Sequence, residues 1–127
     1  MENKQIRMPG SDHPITIEQN TNRVIIKIEE NVIADTYNAL ILREANYPPV
    51  QYIPREDVNM ALLQPSTHKT FCPYKGNCSY YNVAIDDKKI ENAAWSYENP
   101  HNAVERIRGY IAFYPERVDS INETQFA

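Results

Sequence analysis

The apolar residues of this chain fall into short runs of β-branched and aromatic types, separated by charged or proline-containing stretches. One run covers residues 24–28, stops at the charged and polar residues 29–31, and resumes at residues 32–34. Two short β-branched runs on either side of a polar break are typical of strands joined by a turn. The sequence therefore predicts a β-hairpin between residues 24 and 34.

A second hairpin is predicted later in the chain, and its pattern is the clearest. Residues 80–85 combine aromatic and aliphatic types, and Asp86, Asp87 and Lys88 follow them. The apolar pattern then continues over residues 90–97. Polar turn residues between two such runs indicate antiparallel neighbours.

Three further segments favour strands. Residues 38–44 form an apolar run that becomes charged at its end, residues 66–74 are polar and aromatic, and residues 110–114 are a short aromatic run that we expect to be the last strand. Pro73 supports the extended conformation of the second segment, because a proline disfavours the helical region for the residue before it. The closely spaced Pro48, Pro49 and Pro54 exclude a helix between the first two segments.

Helical signals are few. Residues 60–64 fit one short turn of helix. Near the end of the chain, Asn99 can cap a helix that has Pro100 at its first position and Gly109 at its C-terminal cap. Its apolar stripe is predicted to consist of Ala103, Val104 and Ile107.

About seven short strands and one short helix predict a mainly β fold class: a compact antiparallel sheet that is partly closed into a barrel. Residues 1–14 show little periodicity and are predicted to be a loose N-terminal arm. Residues 15–127 are then a single β domain, which agrees with a chain of 127 residues. A hydrophobic edge strand makes a homodimer possible, but the sequence leaves the oligomeric state unknown.

Composition and charge narrow the function. The chain has only 3 glycines, and neither a G-x-G-x-x-G motif nor a Walker A motif is present, so no cofactor is predicted. A net charge of −4 argues against binding duplex DNA, although residues 43–75 are the least acidic part. We expect no membrane partner and a cytoplasmic location, because no signal peptide or membrane-length apolar run is evident. The 2 cysteines fit a reducing compartment.

Candidate chemistry is concentrated in residues 68–75. In an extended strand His68, Thr70 and Cys72 share one face. His68 is the candidate acid or base because its ordinary pKa lies near neutrality. Four extended residues separate it from Cys72 by roughly 13 Å, too far for direct activation of the thiol. Cys72 can equally be a buried inert residue, and a metal site of His68, Cys72 and Cys78 with a carboxylate remains a smaller alternative.

Three cations and several rings complete the candidate site. Arg43, Arg55 and Lys75 suit an anion-binding pocket, although ion pairs with acidic neighbours explain the arginines equally well. Trp95 and Tyr97 lie on one strand face, where they either fill a small core or stack on a planar or cationic ligand. The predicted ligand-binding residues are Arg43, Arg55, Thr70, Cys72, Tyr74, Lys75, Trp95 and Tyr97.

Four blocks of the sequence resemble one known family. They are YIPREDV at residues 52–58, TFCPYKG at 70–76, AWSY at 94–97 and GYIAFY at 109–114. The chain is similar to the domain of unknown function 427 family over residues 32–118, with the blocks in the family's order. The resemblance implies a compact tent-like β fold, similar in outline to methionine sulfoxide reductase B.

The family is sometimes labelled a nucleotidyltransferase family, and the sequence does not favour that activity. Nucleotidyl transfer needs paired carboxylates on one face to hold metal ions. The candidates here, Glu56 with Asp57 and Asp86 with Asp87, are adjacent pairs, and adjacent side chains of a strand point to opposite faces. We therefore predict no metal site at either pair.

Two functions remain open. In the first, the chain binds an unknown small anionic or aromatic molecule and His68 acts as acid or base, so that Arg43, Arg55, Lys75 and His68 converge on one concave site. In the second, it is a non-catalytic binding module for a peptide or single-stranded nucleic acid, with an open groove and exposed Tyr80 and Tyr81. Whether the protein is an enzyme is left undecided.

Overall fold

A computed structural model describes residues 5–125 and contains ten strands in three antiparallel sheets. The mainly β, antiparallel fold class is confirmed. The strands are β1 (Ile15–Gln19), β2 (Arg23–Ile28), β3 (Asn31–Thr36), β4 (Leu40–Glu44), β5 (Val50–Tyr52), β6 (Leu63–Cys72), β7 (Gly76–Ile85), β8 (Lys88–Ser96), β9 (Ala112–Phe113) and β10 (Ser120–Thr124). Within the described residues the sheets do not close into a barrel.

The first sheet has the strand order β1-β4-β5. Along β4 the side chains alternate, so that Leu40, Leu42 and Glu44 are buried while Arg43 is exposed. A carboxylate therefore occupies the last inward position of an apolar strand. The sheet places Glu44 opposite Ile15 of β1.

The second sheet has the order β10-β2-β3 and contains the first predicted hairpin. Glu29 and Glu30 both adopt positive φ, at 47° and 70°, which is the backbone of a tight hairpin turn. Strand β10 pairs with the other edge of β2, with Thr124 opposite Arg23. This pairing joins segments that are far apart along the chain.

The third sheet, β6-β7-β8-β9, contains the longest strands and confirms the second predicted hairpin. On one of its faces Thr70 lies opposite Cys78, and Tyr80 lies opposite Trp95. Its strands follow one another along the chain, and the β7–β8 turn includes Asp86 at φ 52°. The register shifts between Pro65 and Lys69 and again between Tyr81 and Val83.

The predicted helix is present as a 3₁₀ segment, Asn102–Ile107, with a kink at Val104. It begins after His101, so Asn99 does not cap it, because the His101 amide is already bonded to the Lys75 carbonyl at 3.0 Å. Val104 and Ile107 are buried as predicted, whereas Ala103 is exposed. The predicted turn near residue 60 is also 3₁₀ (Met60–Leu62), and further 3₁₀ segments are Arg55–Asp57 and Pro115–Arg117.

Three strands were not expected from the sequence: β1, β5 and β10. Each has five residues or fewer, and β1 and β10 carry mostly polar outward positions. Residues 110–114 include β9, but β10 follows it, so the expectation of a last strand there is wrong. No helix within residues 5–125 is long and apolar enough to cross a membrane.

The buried residues form two clusters. We call the first the aliphatic core, whose members include Val24, Ile26, Ile28, Ile33, Ile53, Val83, Ile85, Ile111 and Phe113. We call the second the aromatic core, which comprises Leu40, Leu42, Tyr52, Cys78, Tyr97, Val104, Ile107 and Ala112, with Cys72, Tyr80, Trp95 and Tyr110 packed against it. The third sheet contributes residues to both clusters.

Candidate functional site

A cavity of about 180 Å³ opens at the edge of the aromatic core, between β4 and β5 on one side and β7 and β8 on the other. Two charged side chains, Glu44 and Lys75, contribute to a wall that is otherwise aromatic, apolar or thiol. The lining residues are Leu42, Glu44, Tyr47, Pro48, Val50, Tyr52, Lys75, Cys78, Tyr80, Trp95, Tyr97 and Tyr114.

Glu44 is the centre of a charged cluster in this wall. One carboxylate oxygen, Oε1, accepts a hydrogen bond from the Lys75 ammonium. The other, Oε2, lies 2.8 Å from His13 Nε2. The His13 ring in turn stacks on Tyr74, with centroids 3.8 Å apart and planes 5° from parallel. Both Glu44 oxygens are therefore satisfied although the residue is only 9% exposed.

The environment of Glu44 keeps it ionised. Burial is the largest single effect and opposes ionisation, but the hydrogen bonds from Lys75 and His13 outweigh it and hold the pKa of Glu44 below its ordinary value. The Lys75 ammonium also lies 5.8 Å from the centre of the Tyr97 ring, within cation–π range. A positive group is thus fixed at the cavity wall by a carboxylate and a ring.

A tight turn places Lys75 in the wall. The Lys75 amide bonds to the Cys72 carbonyl at 3.2 Å, and Gly76 follows with φ of 110°. That backbone conformation favours glycine. A Cβ at Gly76 would also lie 3.5 Å from His101, so the turn packs closely against the segment that precedes Asn102–Ile107.

The aromatic walls are held by hydrogen bonds and ring contacts. Trp95 Nε1 donates to the Tyr52 hydroxyl at 3.2 Å, and the Trp95 ring lies 4.5 Å from the Tyr114 ring. The Tyr80 hydroxyl lies 3.0 Å from Thr70 Oγ1. Burial raises the pKa of Tyr52 and of Tyr80, so both hydroxyls stay protonated at neutral pH. The walls therefore offer ring faces and neutral hydroxyl groups.

The two thiols differ in position. Cys78 lines the cavity and is 1% exposed, and burial raises the pKa of its thiol. Cys72 packs against the aromatic core. A thiol with a raised pKa is a poor nucleophile at neutral pH, so the cavity does not present an activated cysteine.

Six of the predicted ligand-binding residues gather at or beside the cavity. Lys75, Trp95 and Tyr97 line it. The other three do not line the cavity but contact residues around it: Tyr74 stacks on His13, Thr70 bonds to Tyr80, and Cys72 packs against the aromatic core.

The remaining predicted residues lie elsewhere, so the expected convergence of Arg43, Arg55 and His68 with Lys75 is wrong. Arg43 points away from the cavity because it alternates with Glu44 along β4, and its Nε lies 3.0 Å from Glu18 on the surface. His68 is exposed where the β6 register shifts, and its ring lies 4.5 Å from the outer side of the cavity residue Tyr80.

Arg55 belongs to a separate network. Its guanidinium bonds to Glu98 at 2.8 Å, to the Tyr81 hydroxyl at 3.2 Å and to the Gly109 carbonyl at 3.0 Å. Tyr81 belongs to the aliphatic core, so Arg55 caps that core and not the aromatic one. Both arginines form ion pairs, as the alternative required, but their partners are Glu18 and Glu98 and not the neighbouring Glu44 and Glu56.

Sequence reasoning missed two functional candidates, Glu44 and His13. The signal for Glu44 was available, because the period of two in Leu40, Leu42 and Glu44 places it on the buried face. His13 gave no signal, because it lies in a segment without periodicity. The Arg7 amide bonds to the Pro73 carbonyl at 2.9 Å, which adds a second contact between this segment and the β6–β7 turn.

Comparisons with known proteins bear on family membership. A protein-family model described as "Domain of unknown function (DUF427)" matches residues 16–124. The chain matches no curated protein. Within residues 5–125 no three His, Cys, Asp or Glu side chains are grouped so that they could hold a metal ion, and His68, Cys72 and Cys78 do not form such a group.

Proposed function

The chain belongs to the domain of unknown function 427 (DUF427) family, and we propose that it binds a small carboxylic acid with a planar group in the cavity beside Glu44 and Lys75. One observation carries the proposal: a lysine ammonium faces an aromatic-lined cavity while a buried carboxylate holds it in place. Cavities with a few placed polar groups in an apolar wall are the usual form of small-molecule sites.

Lys75 has hydrogen-bonding capacity left for an acid. An ammonium carries three donors, and one of them is used by Glu44 Oε1. His13 bonds to the second oxygen of Glu44. The Glu44 carboxylate therefore keeps hydrogen-bond partners when the other N–H donors of Lys75 bond to a ligand.

The size of the cavity limits the ligand. A volume of about 180 Å³ is slightly larger than the roughly 150 Å³ in which a protein cavity can hold benzene. Trp95, Tyr97 and Tyr114 supply ring surfaces around that space. Offset or edge-on ring packing would add to the affinity for a flat ligand. A single ring with one carboxylate fits these limits.

The site favours binding of a small ligand over catalysis and over binding of a peptide or a single-stranded nucleic acid. Neither His68 nor an activated thiol contributes to the cavity wall, so a catalytic role for His68 stays a prediction. A module for peptides or single-stranded nucleic acid was expected to expose Tyr80 and Tyr81, whereas Tyr80 is half-buried and Tyr81 is 9% exposed, with its hydroxyl bonded to Glu98 at 2.7 Å. These observations support a small ligand.

Fluorescence titration with benzoate tests the proposal. The chain has a single tryptophan, Trp95, and it lies in the cavity wall, so its emission reports directly on occupancy. We expect saturable quenching at neutral pH. In Lys75→Met the affinity should fall about 10- to 100-fold, the usual effect of losing a charged hydrogen bond.

Arg43→Met is the matched control, because Arg43 is also a cation next to the site in sequence but points outward. Circular dichroism checks that each variant is folded. Equal benzoate affinity in Lys75→Met and wild type, or the absence of any saturable response in the wild type, would overturn the proposal.

A further inference from the structure

A second cavity of about 210 Å³ lies next to the first, and its wall is mostly apolar. We propose that it is a subsite for an apolar extension of the acid whose carboxylate Lys75 binds, so that the natural ligand is amphipathic. This inference rests on the proposed function. The side chains that matter most for it are Ile26, Val50, Trp95, Phe113, Pro115 and Ile121.

The two cavities share part of their walls. Val50 and Trp95 contribute to both, so the two spaces lie next to each other, and a ligand that occupies both must extend past these two side chains. Trp95 is held in this position by its hydrogen bond to the Tyr52 hydroxyl and by the Tyr114 ring. The shared wall therefore joins a charged, hydroxyl-bearing space to an apolar one.

The chemistry of the second wall determines what would occupy it. Among the described residues that line this cavity none is charged. Its polar side chain, Gln51, already accepts a hydrogen bond from Asn20 at 3.1 Å. Most of the wall is apolar, so an occupant rich in polar groups would lose more hydrogen bonds to water than the Gln51 amide can replace, whereas methylene groups lose none. The two wall residues shared with the Lys75 cavity favour the tail of the same acid over a separate molecule.

Chain length is the variable that tests the subsite. Straight-chain carboxylates from butanoate to octanoate are titrated into the full chain and measured by Trp95 emission and by calorimetry. Burying a methylene group strengthens binding by about 0.8 kcal/mol, which is about fourfold. Octanoate should therefore bind far more tightly than butanoate.

Substitutions in the second cavity test whether the chain-length effect arises there. Ile121→Asp places a charge in the second cavity and should remove most of the difference between octanoate and butanoate while butanoate affinity stays unchanged. Val32→Asp is the matched control, since Val32 is a 45% exposed strand residue outside both cavities. Pro115→Glu tests the same wall from an exposed position, in case Ile121→Asp does not fold.

The outcomes separate the two proposals. Octanoate binding no more tightly than butanoate, with both dependent on Lys75, would overturn the subsite and leave the acid-binding function standing. The subsite would also be overturned if Ile121→Asp and Pro115→Glu both kept the wild-type ratio of octanoate affinity to butanoate affinity. A steep dependence on chain length, together with affinities that Lys75→Met leaves unchanged, would instead support the apolar subsite and contradict the role of Lys75.

Discussion

The aliphatic core and the aromatic core are both buried, yet they are built from different side chains. The aliphatic core consists mainly of valine, isoleucine and alanine from β2, β3, β7 and β8. The aromatic core instead combines Tyr52, Tyr97 and Cys78 with packed rings, and the Glu44 and Lys75 pair lies at its edge. Judged by burial alone, the two cores would be expected to contribute equally to stability.

The difference indicates which of the two clusters contributes more to the stability of the fold. A close-packed aliphatic cluster gains free energy from each buried methylene group and needs no hydrogen-bond partners. Rings, thiols and an ion pair at the edge of a cavity gain less, because their polar atoms must be desolvated and then satisfied. The aromatic core is therefore the less favourable of the two clusters for stability, and it is the one beside which we propose that a ligand binds.

The largest effect is expected in the aliphatic core. Ile33 is fully buried there, and Ile33→Ala should lower the free energy of unfolding by about 2–5 kcal/mol, because a cavity replaces packed methyl groups. Urea unfolding measures the change. The benzoate affinity of the folded fraction should be the same as in wild type. A loss of benzoate affinity that matches the loss of stability would mean that the packing of the aliphatic core determines the shape of the cavity beside Glu44 and Lys75.

A smaller loss is expected when the charged pair is broken. Lys75→Met leaves Glu44 with His13 as its remaining partner and should cost about 1–3 kcal/mol. The double variant Glu44→Gln/Lys75→Met removes the unpaired charge and should recover at least half of that loss, which urea unfolding can measure. If the double variant is less stable than Lys75→Met, the pair contributes more than charge compensation.

The smallest effect concerns acid stability. Since the pKa of Glu44 is lowered in the folded state, its ionised form stabilises the protein above about pH 4.5, and that contribution disappears as the pH falls through the lower folded value. Glu44→Gln should therefore reduce the dependence of Tm on pH below this value. Calorimetric scans of both proteins between neutral and acid pH measure it. Parallel Tm profiles would mean that other carboxylates dominate acid unfolding.

The comparison also explains what the sequence could predict. The hairpins β2–β3 and β7–β8 were predictable because both partners and their turn lie within one short stretch of sequence. Strand β5 was not, because its three residues are too few to show alternation. Strands β1 and β10 were not, because their strand character depends on distant partners: β1 pairs with β4 and β10 with β2. Local pattern carries no information about such pairing.

The candidate site was predicted in part for a similar reason. Alternation along a strand grouped Trp95 with Tyr97, and Lys75 was selected as a cation; all three line the cavity. The same alternation separates Arg43 from Glu44, but which face of β4 meets the cavity depends on how the sheets pack. Arg55 was misplaced because the sequence does not reveal that Tyr81 and Glu98 lie beside it.

The pairing of β10 with β2 has a consequence for the order in which the chain assembles. Strands β6, β7 and β8 are connected by short turns, so they can pair early, whereas β2 meets β10 only after a long loop has closed. A partly folded chain then exposes the backbone N–H and C=O groups along one edge of the β2–β3 hairpin. We expect that edge to be where a half-assembled molecule pairs wrongly with a neighbour, until β10 arrives to cover it.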